Sequence, residues 1–253
     1  MAINILKNGN PGVFVKDKNL GQDGRAGHPA LSYDVVDVVT FDDNSHRNRQ
    51  GLQDNSFEWT GLFNGNATGS RSYQVIKELL GDGTGAAATQ VVSYYHSNPA
   101  TGAAPGYGFD AARAFNMNES GGPGELLELS ASIGQDGTVD SIVSMGTSQL
   151  TANGTSTWVD LGPSSTAGGR FYLHLGTNQA DGGNTRWTFT MHHASTTAAA
   201  TAIATGATAT FGTGVSTGVV LQSTGQLRRF VRMAFGRDAT TGTIDYQVGA
   251  NRI

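Results

Sequence analysis

The chain contains no cysteine and only 6 prolines among its 253 residues, and its apolar runs are short. The absence of cysteine excludes disulfides, thiol nucleophiles and thiolate metal sites. No run approaches the roughly 20 apolar residues that a membrane-spanning helix needs. The N-terminal segment also lacks the charged start and apolar core of a secretory signal. We therefore expect a protein that is made and stays soluble in a cytoplasm, without membrane contact.

The sequence also lacks the common catalytic motifs. It contains no P-loop, no Gly-x-Ser-x-Gly elbow, no His-Glu-x-x-His and no EF-hand pattern. The glycine-rich segment 81–85 resembles a phosphate cradle, but it follows a predicted helix and no lysine comes after it, which favours a helix stop. Glu125 and Glu128 are explained as exposed positions of a strand. The sequence therefore predicts a protein that is not an enzyme and binds no cofactor.

Six histidines raise the question of a metal site. Adjacent strand residues point to opposite faces, so we expect one of His192 and His193 to face inward and the other to be exposed. His46 lies near Asp42 and Asp43, but interspersed arginines oppose a bound cation. We predict no metal site. A two-signed loop that pairs with a neighbouring subunit is favoured at His46, with an ordinary solvated loop as the alternative.

Glycine is abundant, at 36 residues, and seven Asn-Gly or Asp-Gly dipeptides separate strand-like segments. These dipeptides adopt the positive φ that two-residue hairpin turns require. Their number and spacing predict an all-β sandwich or barrel. Helix is expected only at Tyr73–Leu80, before the breaker at Gly81.

Charge is distributed unevenly along the chain. Residues 1–135 carry 14 acidic and 9 basic side chains, a net of −5, whereas residues 136–253 carry 6 and 7, a net of +1. All lysines and glutamates lie in the first part. This shift predicts two domains, residues 1–138 and 139–253, with the boundary inside 134–144. The mild total of −4 predicts no basic surface for tight nucleic-acid binding.

Strands are predicted from apolar patterning and turn residues. They lie near 3–7, 12–16, 31–41, 55–63, 89–96, 110–117, 125–133, 139–145, 157–161, 170–176, 185–193, 207–211, 217–222, 227–235 and 242–249. The Pro- and Gly-containing segment 97–108 is predicted to be a loop.

The most informative segment is a predicted hairpin between residues 33 and 63. A mostly apolar strand, residues 33–41, leads into a charged loop that ends at Gly51-Leu52-x-Asp54. In the second strand Phe57 and Trp59 share one face, and Glu58 lies on the other, which predicts one buried and one solvated sheet face. The loop is too long and too charged for a minimal hairpin turn, so we expect it to make contacts.

This order of elements resembles the major tail tube protein of long-tailed bacteriophages. The resemblance lies in VDVVTFDDNSHRNRQGLQDNSFEWTGLFN (36–64) and covers about the first 135 residues. The segments 150–162, 170–176 and 227–235 look like the appended outer domain of some of these proteins. The resemblance implies a tail-tube-type β-sandwich or barrel with one short flanking helix, followed by a second β-sandwich, jelly-roll-like or Ig-like.

The resemblance also implies a role in the virion. Copies would stack as hexameric rings into a tail tube assembled in the host bacterial cytoplasm, with the second domain facing outward. DNA would pass through an acidic or neutral lumen without specific binding, and tape measure and tail terminator proteins would be partners. The implied inter-subunit and inter-ring contacts are Asp42, Asp43, His46, Arg47, Arg49, Gln50 and Asp54. The implied lumen-bordering residues are Asp34, Asp37 and Glu58.

Two other classes of function stay open from the residues. A carbohydrate-binding or adhesin-like β-sandwich would use Trp158, Tyr172 and Trp187 as stacking surfaces. It would stay monomeric, whereas a tube protein would form rings. A glycan-degrading tail enzyme would need a suitably placed carboxylate pair, and the second part of the chain contains no glutamate.

Overall fold

A computed structural model describes residues 12–38, 47–63, 72–81, 89–122, 125–176, 186–197, 203–212, 214, 217–238 and 242–253. The described chain is mainly β-structure in antiparallel sheets, as predicted for the fold class. In these ranges no helix has the length and apolarity that crossing a lipid bilayer would require.

Sixteen strands and one α-helix are described. They are β1 Gly12–Val15, β2 Lys18–Asn19, β3 Gly24–Val38, β4 Arg47–Leu62, α1 Ser72–Leu80, β5 Gln90–Tyr95, β6 Pro105–Ser120, β7 Glu128–Gln135, β8 Val139–Leu150, β9 Gly154–Thr155, β10 Val159–Asp160, β11 Gly169–Leu175, β12 Trp187–Ala194, β13 Ile203–Phe211, β14 Thr217–Ser223, β15 Phe230–Arg237 and β16 Ile244–Arg252.

The first part of the chain folds around the long strand β6. One edge of β6 pairs with β5, which continues to β1 and β2. Its C-terminal half pairs with β7, which continues to β4 and β3. The helix α1 packs against β6. These elements enclose a core of Val13, Val15, Leu20, Phe57, Trp59, Val75, Ile76, Leu79, Val92, Tyr94, Phe109, Ala112, Ala114, Leu129, Ala131 and Ile133.

Local sequence explains the strands and the helix of this part. On β4, Phe57 and Trp59 are buried while Glu58 between them is exposed, as the alternation predicted. The helix α1 buries Val75, Ile76 and Leu79 on one face. It ends at Gly81, whose φ is 80° and whose N–H donates to the Lys77 carbonyl at 3.1 Å. The predicted helix stop is confirmed.

The second part is a sandwich of two sheets. Strands β14, β11, β16 and β8 form one layer, and β10, β15, β12 and β13 form the other, with β9 paired to β15. Side chains from both layers meet in a second core. Its members are Met145, Leu150, Val159, Phe171, Leu173, Leu175, Trp187, Phe189, Met191, Ala207, Leu221, Leu227, Val231, Met233, Ile244, Tyr246, Val248 and Ala250.

The two parts are joined through the sheet and through a buried seam. Strand β8 pairs with β6 over residues 139–143 and 105–109, so one eleven-stranded sheet runs through both. A third cluster packs residues of the first part against the sandwich layer: Phe14, Val91, Tyr95, Ala104, Ile142 and Tyr172. Because β16 is covered on both faces, seven consecutive residues of it, 244–250, are buried. The division at residue 138 stays a prediction, and the chain crosses it at the start of β8.

The bounds of two predicted elements differ from the structure. The first residues of β6, 105–108, lie in the predicted loop; Pro105 opens the strand, where proline costs no ladder bond. Gly106 is needed because an added Cβ would lie 2.0 Å from the Tyr94 carbonyl oxygen. The strand β3 begins at Gly24 and not near residue 31. The strand predicted at 3–7 lies outside the described residues.

Candidate assembly surface

The hairpin β3–β4 continues past the part of β4 that pairs with β7. The two strands pair with each other from Gly24↔Gly61 to Val38↔Arg47. However, β4 pairs with β7 only over 56–62. From Ser32 and Asp54 outward, the described hairpin is therefore a ribbon of two strands. At roughly 3.4 Å per residue, its seven residues in β3, Ser32 to Val38, give it a length of roughly 24 Å.

The residues predicted to form an inter-ring loop fall into two groups. Arg47, Arg49, Gln50 and Asp54 belong to β4, so the loop prediction was wrong for residues 47–54. A ribbon that pairs only with itself does not need an apolar face, so these polar residues gave no strand pattern. Asp42, Asp43 and His46 lie outside the described residues.

The three predicted lumen residues all lie on this hairpin. Asp34 and Asp37 belong to β3, and Asp37 is directly opposite Asn48 of β4. Glu58 is exposed on β4, between His28 of β3 and Ser132 of β7. The hairpin thus brings the three acidic positions onto two paired strands.

The outer edge of β3 has no partner strand within the described part of the chain. Over its 15 residues, β3 pairs only with β4. Pro29 lies within it, and proline in a sheet is tolerated on edge strands. An unpaired strand edge presents a row of N–H and C=O groups to which another strand can add. The edge is therefore a template for a second chain.

Among the described side chains, the solvated face beside this edge carries several hydroxyls, and two of its arginines are paired with carboxylates. Ser130 and Ser132 of β7 lie opposite Thr60 and Glu58 of β4. Arg113 of β6 pairs with Asp136 at 2.7 Å. Arg25 of β3 pairs in the same way with Glu128 at 2.5 Å.

Among the described side chains of the first part of the chain, Phe115 is a large aromatic residue that is exposed. Phe115 is 62% exposed at a bulge of β6. A Cβ added to Gly134 would overlap its ring, so the ring lies directly over that glycine.

Two of the three aromatic residues predicted as a ligand-contact surface are buried, which corrects that prediction. Trp187 belongs to the sandwich core, and Tyr172 lies in the seam and donates to Asp140 at 2.6 Å. Alternating strands place such rings inward because they bury the largest apolar area. Trp158 is partly exposed, and the Arg232 guanidinium lies 4.5 Å from its ring centroid.

The predicted orientation of the paired histidines is confirmed in outline. His193 is buried and its Nδ1 accepts from the Arg228 N–H at 3.1 Å, whereas His192 is half-buried on the opposite face of β12. Burial, followed by neighbouring positive charge, lowers the pKa of both imidazoles. This arrangement does not direct the two rings to one ion.

A third histidine is a structural group at the seam. His174 of β11 is fully buried; its Nδ1 lies 2.7 Å from the Lys16 carbonyl oxygen and its Nε2 lies 2.8 Å from Ser93 Oγ. A carbonyl oxygen only accepts, so Nδ1 donates to Lys16 and Nε2 of the neutral ring accepts from Ser93. Burial lowers the pKa of His174 to about 4. The neutral ring thus ties the sandwich to β1 and β5.

No protein-family model matches the chain, and no curated protein matches it. Among solved structures, it is similar to a chain of the virion of a native gene transfer agent particle, with 11% identity and a TM-score of 0.37, covering 51% of this chain and 94% of that one. It is also similar to a chain from the tail of an empty particle of this kind, refined with C6 symmetry. The identity is 11% and the TM-score is 0.38, and the match covers 51% of this chain and 94% of that one. A third similar structure is the SPP1 Dit protein, a hub component of phages infecting Gram-positive bacteria. Its identity to this chain is 9% and the TM-score is 0.34, and the match covers 96% of this chain and 99% of that one. At TM-scores below 0.5 these likenesses carry no argument about this chain.

Proposed function

We propose that copies of this chain associate through the β3–β4 hairpin into rings, and that the rings stack into the tail tube of a bacteriophage. In this proposal the protein is a structural component of the virion. It acts by self-association, and DNA passes through the tube. Each ring holds six copies, and tape measure and tail terminator proteins are its other partners.

The observation that carries the proposal is a two-stranded ribbon that pairs with no other described strand, together with an unpaired edge of β3. An isolated two-stranded hairpin is marginally stable in water, so a ribbon of this length gains from packing against another chain. A free edge of 15 residues is also a liability unless it is covered. When one surface of a copy binds a different surface of the next, the contact repeats, and it closes into a ring or grows as a filament.

The polarity of the solvated face fits a channel for DNA. Tight binding to DNA depends on Lys and Arg that displace counterions from phosphates. On the face beside β3 the arginines Arg25 and Arg113 are paired with carboxylates, and Glu58 is exposed. We propose that this face and the positions Asp34 and Asp37 border the lumen.

The charged residues near the tip of the hairpin are proposed to contact the adjacent ring. Asp42, Asp43 and His46 are followed in sequence by Arg47 and Arg49, so the segment carries both signs of charge. A segment of this kind pairs with a copy of itself or with a complementary surface. The sandwich of residues 139–253 is proposed to face outward.

The proposal is tested by excising the ribbon. Ser32 and Asp54 are directly opposite each other, so residues 33–53 can be replaced by an Asn-Gly turn that closes the shortened hairpin. Both cores lie outside the excised segment. We expect a folded chain that sediments as a monomer, whereas the full chain sediments as rings or longer assemblies.

A matched control keeps the ribbon and changes an exposed residue of the sandwich. Thr210→Ser retains the hydroxyl and lies far along the chain from the hairpin. This variant should assemble as the full chain does. Assembly of the excised chain with unchanged size would contradict the proposal.

A second candidate function, recognition of a glycan, is favoured by one observation. The outer face of the sandwich carries a groove lined with hydroxyl and imidazole groups. A virion protein can both assemble and bind a ligand, so this site does not compete with the proposal above.

A further inference from the structure

A shallow, solvent-open groove lies on the outer face of the second sheet, over strands β9, β12 and β15. Its volume is about 620 Å³. It lies on the face of the sheet opposite the sandwich core. The lining residues are Asn153, Gly154, Thr155, Thr188, Thr190, His192, Ala234, Phe235 and Gly236.

In the middle of the groove, threonine hydroxyl groups lie beside residues with small side chains. Thr188 Oγ1 lies 3.0 Å from Thr210 Oγ1, and Thr208 Oγ1 donates to Thr190 Oγ1 at 3.2 Å. These cross-strand bonds hold a row of hydroxyls in fixed positions. Beside this row, at Ala234 and Gly236, β15 has almost no side chain. A flat ligand can therefore lie on the sheet while its polar groups meet the threonines.

A cationic side chain, Arg232, lies beside the end of the groove at His192 and is not itself a lining residue. Arg232 is directly opposite His192 on the neighbouring strand and lies two residues from Ala234, on the same face of β15. The ring of Trp158 holds its guanidinium at 4.5 Å. Within the described residues Arg232 has no carboxylate partner, and its Nε is buried without a hydrogen-bond acceptor.

The nearby carboxylate on the same sheet is already paired. Asp160 of β10 forms a bidentate pair with Arg229, whose Nη2 lies 2.6 Å from Asp160 Oδ2. The Nδ1 of His192 is likewise buried with no partner among the described atoms. Because the Arg232 guanidinium has no carboxylate partner among the described residues and lies beside a row of hydroxyls, an anionic group attached to a flat polyol would complete the site.

We propose that this groove binds an acidic oligosaccharide. Its sugar rings lie over Ala234 and Gly236, its hydroxyls bond to Thr188 and Thr190, and a carboxylate accepts from Arg232. Arginine suits this role because its planar guanidinium matches a carboxylate with two parallel hydrogen bonds. The inference rests on the second candidate function, recognition of a glycan, and not on assembly into a tube, since the groove belongs to one chain and lies in the sandwich.

Calorimetric titration of the full chain tests the proposal, with oligogalacturonate as the acidic probe and an uncharged galactose oligomer of equal length as its counterpart. We expect oligogalacturonate to bind and the uncharged oligomer to bind about tenfold more weakly or worse, because hydrogen bonds to charged groups are the stronger ones. Raising the salt concentration should weaken only the acidic probe.

Two variants and one control locate the site. Arg232→Met keeps an apolar side chain near Trp158 but removes the charge, and it should lower affinity about tenfold or more. Gly236→Val fills the floor of the groove, and an added Cβ there meets no atom within 4 Å, so the variant folds and loses binding. Arg228→Met removes an arginine that precedes β15 in the chain, and this variant should bind as the wild type does.

Several outcomes would overturn the proposal. One is a chain that binds neither probe at millimolar concentration, and another is equal binding by wild type, Arg232→Met and Gly236→Val. A third is binding of a glycerol-phosphate oligomer but not of oligogalacturonate, which would assign the groove to phosphate in place of an acidic sugar. Thermal unfolding of each variant, compared with the wild type, separates loss of the groove from loss of the fold.

Discussion

The buried imidazole of His174 makes the stability of the protein depend on pH in a defined direction. Its pKa is lowered by burial from 6.5 to about 4. A group of this kind contributes stability that is fully present above pH 6.5 and is lost as pH falls toward 4, because the unfolded chain takes up the proton first. At about 1.36 kcal/mol for each unit of pKa difference, the loss amounts to about 3 kcal/mol.

The perturbation that isolates this contribution is His174→Gln. Glutamine is uncharged at every pH, and its amide can bond to the Lys16 carbonyl or to Ser93. Urea unfolding of the ribbon-excised chain, measured at several pH values between 4 and 7.5, gives the free energy of unfolding for both proteins. As pH is lowered from 7.5 to 4, we expect the free energy of unfolding of the excised chain with His174 to fall by about 3 kcal/mol more than that of the excised chain with His174→Gln.

The surroundings of His174 are consistent with a lowered pKa and therefore with a loss of stability at low pH. Phe14 is its aromatic neighbour at 5.8 Å. Burial is the largest effect on the pKa of His174, and the hydrogen bond to the Lys16 carbonyl and the charge of Asp17 oppose it by smaller amounts. His28→Gln, at an exposed histidine, controls for removing an imidazole from the surface. If the free energies of unfolding of the chains with and without His174→Gln changed in parallel with pH, His174 would not be the source of the pH dependence.

Two further predictions concern residues where the two parts of the chain meet. In both cases the quantity measured is the free energy of unfolding in urea. Gly106→Ala should destabilise the protein by about 1–3 kcal/mol, because its Cβ would lie 2.0 Å from the Tyr94 carbonyl oxygen; Gly212→Ala, which meets no atom within 4 Å, should change stability by less than about 0.5 kcal/mol. Tyr172→Phe should cost about 2 kcal/mol, because it removes the 2.6 Å hydrogen bond to the mostly buried Asp140; equal stability of variant and wild type would show that the bond contributes nothing.

Much of the fold was predictable where apolar and polar residues alternate. The exposed Glu58 between the buried Phe57 and Trp59 gave β4 its inner face, and Leu129, Ala131 and Ile133 gave β7 the same. These strands have one buried and one solvated face, which is the condition under which alternation appears. The short helix and its stop at Gly81 were predictable for the equally local reason of a left-handed glycine.

The start of β6 was not predictable because glycine occurs both in loops and in strands where a neighbouring group leaves no room for a side chain. Gly106 and Gly108 were interpreted as loop residues. In the structure they lie in a strand, where Tyr94 and the ring of Tyr172 leave no room for a side chain. These contacts join residues far apart in sequence, and one chain without the fold does not reveal them.

The candidate site was predictable only in part for a related reason. The sequence located the hairpin but not the length of its ribbon, since Arg47, Arg49 and Asp54 show no apolar alternation. Trp187 and Tyr172 could be interpreted as stacking surfaces because their residue types do not distinguish a core from a binding face. The groove around Thr188 and Thr190 gave no sequence signal, since it depends on cross-strand register with β13 and β15.

The proposed function requires that this chain assemble through its hairpin into stacked rings. Negative-stain electron microscopy of the purified full chain, beside the chain in which an Asn-Gly turn replaces residues 33–53, tests it most directly. We predict hollow tubes or stacked rings with six-fold symmetry for the full chain and isolated particles for the shortened one. Dispersed single copies of the full chain at every concentration, or tubes from both, would contradict the claim.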